Sequence, residues 1–314
     1  MAIRAPMMVE PEAATDVFAV ANVTSTSPNI ISGFPVDMGI LLRRSNGAIR
    51  WPVTRLTGAN YLVTAGTNAE VSWAAATYDY QNGIMEAGTL SVVNDMAYMW
   101  KRAKGFMDVV AYFGADLSGG VVYHSLGVKP ELVIIKQRNA INAANREWAV
   151  GSPDLLGVNA NTLSLNNNYA NGTLNYNMFN TTAGQTDTQI KLHGNEGGIS
   201  GSSGYYIAYL FATLAGISKV GSYTGTGSDI NVDCGFSAGA RFILIKRTDA
   251  TGDWYLYDTL RGIVAGADPF LKLNTTDAQD EGNDGIDPLS SGFIVTSGSG
   301  NNTSGGTYIF YAIA

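Results

Sequence analysis

Two histidines, His124 and His193, and one cysteine, Cys234, are all the imidazoles and thiols that the chain offers for proton transfer or nucleophilic attack. Nucleophilic catalysis needs a base that a third group holds in place. The two histidines stand at different places in the middle third with no recurring acidic partner, so a structural role is expected for both. Cys234 cannot form an intramolecular disulfide and reads as a small buried hydrophobe in a chain made in a reducing compartment. Hydrolysis of a polysaccharide by paired carboxylates would draw on Glu86, Asp95, Asp187 and Glu196, which nothing in the sequence pairs. The expectation is a non-enzymatic protein with no cofactor.

The acidic stretch 277–287 is the one candidate for a metal. Asp277, Asp280, Asp284 and Asp287 could offer oxygen ligands to calcium, with Gly282 and Gly285 allowing tight turns. The EF-hand register fails, because counting from Asp280 places Gly285 sixth but Ser291, not Glu, twelfth. A solvated loop is the expectation. Three basic pairs, Arg43 with Arg44, Lys136 with Arg138, and Lys246 with Arg247, each follow a run of aliphatic residues. They are expected to end a buried strand and carry their charges out to solvent. Trp51, Trp148 and Trp254 follow these pairs, and Tyr98, Tyr209 and Tyr311 lie in aromatic runs further on. Because both sets recur, they are read as structural anchors of the core rather than sugar-stacking platforms.

The elements that position these residues are strands. Charged residues make up 14% of the 314, and the surface must instead be covered with Asn, Thr, Ser and Gly, which favour strands and turns over helices. Short runs of Val, Ile, Tyr and Phe alternate with turn clusters, and 92–103 is read as strand, matching the corresponding runs later in the chain. A formal charge of -7 argues against a nucleic-acid partner, and no apolar run approaches the length of a membrane span.

The whole pattern occurs three times, with a period of about 100 residues. Each copy runs from a Gly turn through an aliphatic strand, a basic pair and a tryptophan, to an aromatic closing strand. Leu163-Ser164-Leu165 corresponds to Leu271-Lys272-Leu273 in the next copy. The expected fold is all-β: three tandem β-sandwich or jelly-roll-like domains, at 15–103, 104–215 and 216–314, behind an N-terminal docking arm at 1–14. A period this long implies that each repeat owns a core, and the short connections imply that the domains pack on one another. The Asn-rich loop 159–182 exceeds the usual loop length and is the expected interaction surface.

The last third carries a more specific signal. Its blocks SKVGSYTGTG, CGFSAGARFILIKRTDATGDWYLYDTLRGI, PFLKLNTT, SGFIVT and SGGTYIFYAIA, in that order, resemble a repeat family of tail-associated structural proteins of tailed marine bacteriophages. The middle third shares VIIKQR and YYIAYLFA with it, and the first third keeps the skeleton alone. The resemblance implies a virion component, a tail fibre or tip adhesin subunit that touches the host surface. Its implied partners are other virion proteins, further copies of the chain (a homo-oligomer, with a trimer favoured), and a host surface glycan or receptor. A capsid decoration or head-fibre protein is the alternative.

Overall fold

In the computed structural model the described residues are 8–23, 29–46, 50–73, 76–77, 80–86, 95–117, 120–140, 147–157, 162–174, 177–179, 184–194 and 198–314. They form an all-β structure of antiparallel sheets, with two short 3-10 turns at Ala14–Asp16 and Gly114–Asp116. No helix among them is long and apolar enough to cross a membrane.

One topology recurs three times. Each repeat has a larger sheet in which the opening strand pairs with the closing strand, which pairs in turn with an inner strand, a hairpin strand and a short edge strand. The opening strands are Phe18–Val23, Met107–Phe113 and Ser218–Thr224, and the closing strands are Asp95–Trp100, Tyr205–Phe211 and Thr307–Ile313. The inner strands are Met38–Arg43, Leu132–Gln137 and Phe242–Arg247, and the hairpin strands are Arg50–Thr54, Ala149–Gly151 and Trp254–Asp258. The register is also shared: Ile40 pairs with Tyr98, Ile134 with Tyr209, and Leu244 with Tyr311. A smaller sheet of two or three strands lies over one face of each larger sheet.

Side chains alternate across a strand, so each inner strand divides its residues between two cores. Leu41, Val133 and Ile243 face the smaller sheet of their own repeat, in three separate clusters. Met38 and Ile40, Leu132 and Ile134, and Phe242 and Leu244 turn the other way, into one cluster drawn from all three repeats. The closing strands divide likewise, Tyr98, Tyr209 and Tyr311 entering the common cluster. Each repeat therefore owns only half of its core, and the expectation of one self-sufficient core per domain is corrected. Burial on both faces explains why these antiparallel strands read as unbroken apolar runs rather than alternating ones.

The register corrects one of the tryptophan anchors. Lys246 pairs with Trp254 across the hairpin, whereas in the first repeat the corresponding pair is Leu42 with Arg50. Arg50, buried in the structure, is thus the counterpart of Trp148 and Trp254, and Trp51 is one residue out of step. A shift of one residue turns a side chain to the opposite face. Trp51 accordingly stacks on Tyr61, with ring centroids 4.1 Å apart, against the first repeat's own core.

Candidate functional site

The threefold repetition brings the chemistry-bearing side chains to the three junctions between repeats. Trp148 Nε1 of the second repeat donates to Val63 O of the first at 2.8 Å, and Trp254 Nε1 of the third donates to Ser164 O of the second at 2.8 Å. The third junction closes the circle, where Arg50 Nε of the first repeat donates to Lys272 O of the third at 3.2 Å. A second ring lies beside it in the backbone. Glu70 N donates to Arg138 O at 2.8 Å, Asn171 N to Thr248 O at 2.7 Å, and Gln279 N to Arg44 O at 2.8 Å. The contact that joins repeat three to repeat one therefore reproduces the other two, which is the geometry of a closed ring about a pseudo-threefold axis.

Arg50 fills a tryptophan's place with a charge. Nη1 donates to Arg43 O at 2.8 Å and Nη2 to Asp277 O at 2.7 Å, so backbone carbonyls receive its fork. Burial pushes the guanidinium down to about 10, which leaves it protonated at neutral pH. The same junction holds a buried cluster. Tyr98 Oη donates to Asp258 Oδ2 at 2.6 Å, and Arg261 Nε donates to the same oxygen at 2.5 Å. Burial, with the Asp258 carboxylate alongside, raises the Tyr98 phenol well above its ordinary range. At the equivalent position in the second repeat, the Tyr209 hydroxyl is buried and makes no hydrogen bond.

The basic pairs depart from expectation. Lys136 and Lys246 are fully buried and do not reach solvent. Lys136 Nζ lies 6.0 Å from the Trp148 ring centroid and donates to Thr67 O at 3.3 Å, across the junction with the first repeat. Lys246 Nζ donates to Arg247 O at 2.6 Å, and burial lowers its ammonium to about 8. Their neighbours reach carboxylates: Arg138 meets Glu70, Arg247 meets Asp249, and Arg43 meets Asp95.

The catalytic and metal candidates are dispersed. His124 and His193 lie at opposite ends of the ribbon formed by Val121–Tyr123 and Gln189–Lys191. Burial lowers the His124 imidazole below its usual range, which favours the neutral ring. Cys234 is buried, its thiol pushed up to about 12, so it is not a thiolate nucleophile at neutral pH. Asp95 is committed to Arg43 and Asp187 is exposed, while Glu196 and the Glu86 side chain lie outside the described residues. Among the described residues no three His, Cys, Asp or Glu groups gather as a metal site. In the acidic loop, Asp280 Oδ1 turns back to Gly282 N, Asp287 Oδ1 accepts from Gly266 N, and Asp277 reaches Lys272. The loop's structural contribution comes from its backbone, through Asp277 O and Gln279 N.

Two features escaped the sequence reading. Residues 235–239 spell Gly-x-Ser-x-Gly, but here they join Ile230–Asp233 to another strand, Phe242–Arg247, rather than a strand to a helix. Asn166 and Asn274, which follow the matched Leu-x-Leu triplets, accept through Oδ1 from the Trp148 and Trp254 backbone N at 2.8 and 2.9 Å. Their signal was present as LSLN and LKLN. The loop 159–182 also makes internal contacts. Its Asn168 O accepts from Gly252 N of the third repeat at 2.9 Å, and Met178 and Phe179 are buried in the second repeat's own core. Asn168, Tyr169 and Thr173 of the same loop stand exposed, so it packs inward at some positions and faces outward at others. Of the N-terminal arm, residues 1–7 lie outside the described residues, while Val9 O accepts from Lys104 N at 3.3 Å and Ala14 is buried.

A family described as Domain of unknown function (DUF7483) matches residues 101–314, which are the second and third repeats together with the three residues before them. No curated protein matches the chain.

Proposed function

We propose, for a chain that belongs to the DUF7483 family, a structural role: a closed three-repeat block built into a larger assembly. The observation that carries this reading is the closure of both rings of hydrogen bonds, which commits the buried Trp148, Trp254 and Arg50 side chains to holding the repeats together. Catalytic sites require the opposite arrangement, with perturbed groups converging on an accessible cleft. The resemblance of the third repeat to tail-associated proteins of tailed bacteriophages supports a virion as the assembly, with the chain as a tail fibre or tip subunit that contacts the host. Closure of three repeats within one chain supports its incorporation as a single copy, in place of the trimer of chains that the resemblance implies. The compact ring, without a shaft among the described residues, favours decoration of the capsid shell as a second reading.

Cryo-electron microscopy of virions from a phage that encodes this chain tests both. Density for single chains at the tail tip or in an appendage is the expected result. Density tiled over the shell would move the assignment to decoration, and its absence from virions would end both. Sedimentation of the purified chain is expected to give a monomer of 33.2 kDa; a stable trimer would show that closure within the chain does not replace association.

A further inference from the structure

The three junctions are internal controls for one another, and among the described residues the second carries a cleft. At the first, Glu70 and Arg138 form a two-pronged ion pair, with Nε to Oε2 at 2.8 Å and Nη2 to Oε1 at 3.3 Å. The backbone ring makes Asn171 the counterpart of Glu70, and Thr248 that of Arg138. The third junction again carries longer side chains, Gln279 and Arg44. With a short amide and a short hydroxyl instead, the second junction leaves a cleft of about 590 Å³ between repeats two and three. That is within the range of small-molecule sites, roughly 300–1,000 Å³.

Its lining is polar and largely neutral. Asn171 Oδ1 is buried without a hydrogen-bond partner, which in a native protein calls for a bound group or water. Thr248 Oγ1 and Thr307 Oγ1 lie 2.7 Å apart, and Ser222 adds a third hydroxyl. Asp249 brings a carboxylate that Arg247 already neutralises through two contacts of 3.0 Å, and Thr307 N holds its Oδ1 at 2.9 Å. Leu156 and Ile309 supply apolar surface. Fixed groups that both donate and accept, beside a C–H-binding surface and without uncompensated charge, match a neutral polyhydroxylated ring. Ions would find no net charge, and a purely apolar ligand would strand the buried polar atoms.

We propose that this cleft is a binding site for a neutral saccharide. The proposal deepens the attachment reading by naming its contact point, and the two can fail separately. The test titrates glucose, galactose, mannose and N-acetylglucosamine, with their short oligomers, into the full chain, read by saturation-transfer NMR. A filled variant, Asn171→Glu with Thr248→Arg, copies the ion pair of the first junction and is expected to keep the wild-type melting temperature. A second variant, Thr307→Val, removes one hydroxyl with little change of shape. The expected result is saturable transfer to at least one neutral sugar, abolished in the filled variant and weakened about tenfold or more by Thr307→Val. No transfer from any neutral sugar, equal transfer in the filled variant, or preference for glucuronate oligomers would each overturn the proposal. Saccharide binding by a chain located on the capsid shell would support the cleft while removing the tail-attachment reading.

Discussion

Tyr98 and Tyr209 occupy one structural position, yet their hydroxyls meet different fates. Tyr98 donates to the buried Asp258, whereas Tyr209 donates to nothing. Tyr98→Phe is therefore expected to cost about 1.5–3 kcal/mol, the worth of a hydrogen bond to a charged group, while Tyr209→Phe should be neutral or slightly stabilising. Urea unfolding of the two variants checks the contrast. Lys246 makes a prediction in pH. Burial lowers its ammonium to about 8 from 10.5, so below about 8 the folded state carries the full cost of a buried charge, and between the two values the unfolded state binds more protons. Stability rises with pH across that window. Lys246→Met should be more stable than wild type at pH 7 by up to about 3 kcal/mol, with the gap closing toward pH 10 in thermal melts. Neither behaviour was legible in the sequence, where the lysines looked like strand-end charges reaching for water. Lys136 meets Thr67 O of the neighbouring repeat, and a contact across about 70 residues has no local signature.

The inner, hairpin and closing strands were legible in their order, because two-sided burial and turn residues leave a pattern that a single repeat already displays. Register was not. Trp51 aligns with Trp148 by eye, but hairpin pairing puts Arg50 in that place, and a slip of one residue exchanges the two faces. The hairpin strand of the second repeat shows the opposite compensation. Gly151 stands where the other repeats have Val53 and Tyr257, and its space is taken by Met178 and Phe179 from the long loop. A Cβ on Gly151 would lie 2.5 Å from the Met178 sulfur and 2.7 Å from the Phe179 ring. Gly151→Val, which restores the residue of the first repeat, is thus expected to destabilise by about 1–3 kcal/mol through overpacking. A lowered urea midpoint with an unchanged slope would be the observation; an unchanged midpoint would mean that the loop does not occupy that space. The loop's length reflects a core it completes as much as a surface it presents.

Across the molecule, the shared cluster binds the three repeats into one folding unit. Removing one repeat would uncover apolar faces of the other two, among them Ile40, Ile134 and Leu244, and break two of the three contacts in each ring. Calorimetry of the full chain is expected to show one transition with matching calorimetric and van't Hoff enthalpies, and a chain truncated to 1–215 should aggregate or fail to fold. Separate transitions, or a stable truncated monomer, would restore the picture of independent domains. The same closure separates this ring from an ordinary tandem array, whose ends stay open and can be extended by further repeats.

By itself the sequence determined the all-β class, the threefold repetition and the scarcity of histidine and cysteine. Those properties follow from composition and from spacings of a few residues, which act locally. Tertiary structure alone decided that the repeats close on themselves, that Arg50 replaces a tryptophan, that two lysines are buried, and that a cleft lies at the second junction. Each of these depends on residues from different repeats meeting across the axis, and the pairing of such distant positions is set by packing rather than by any local preference.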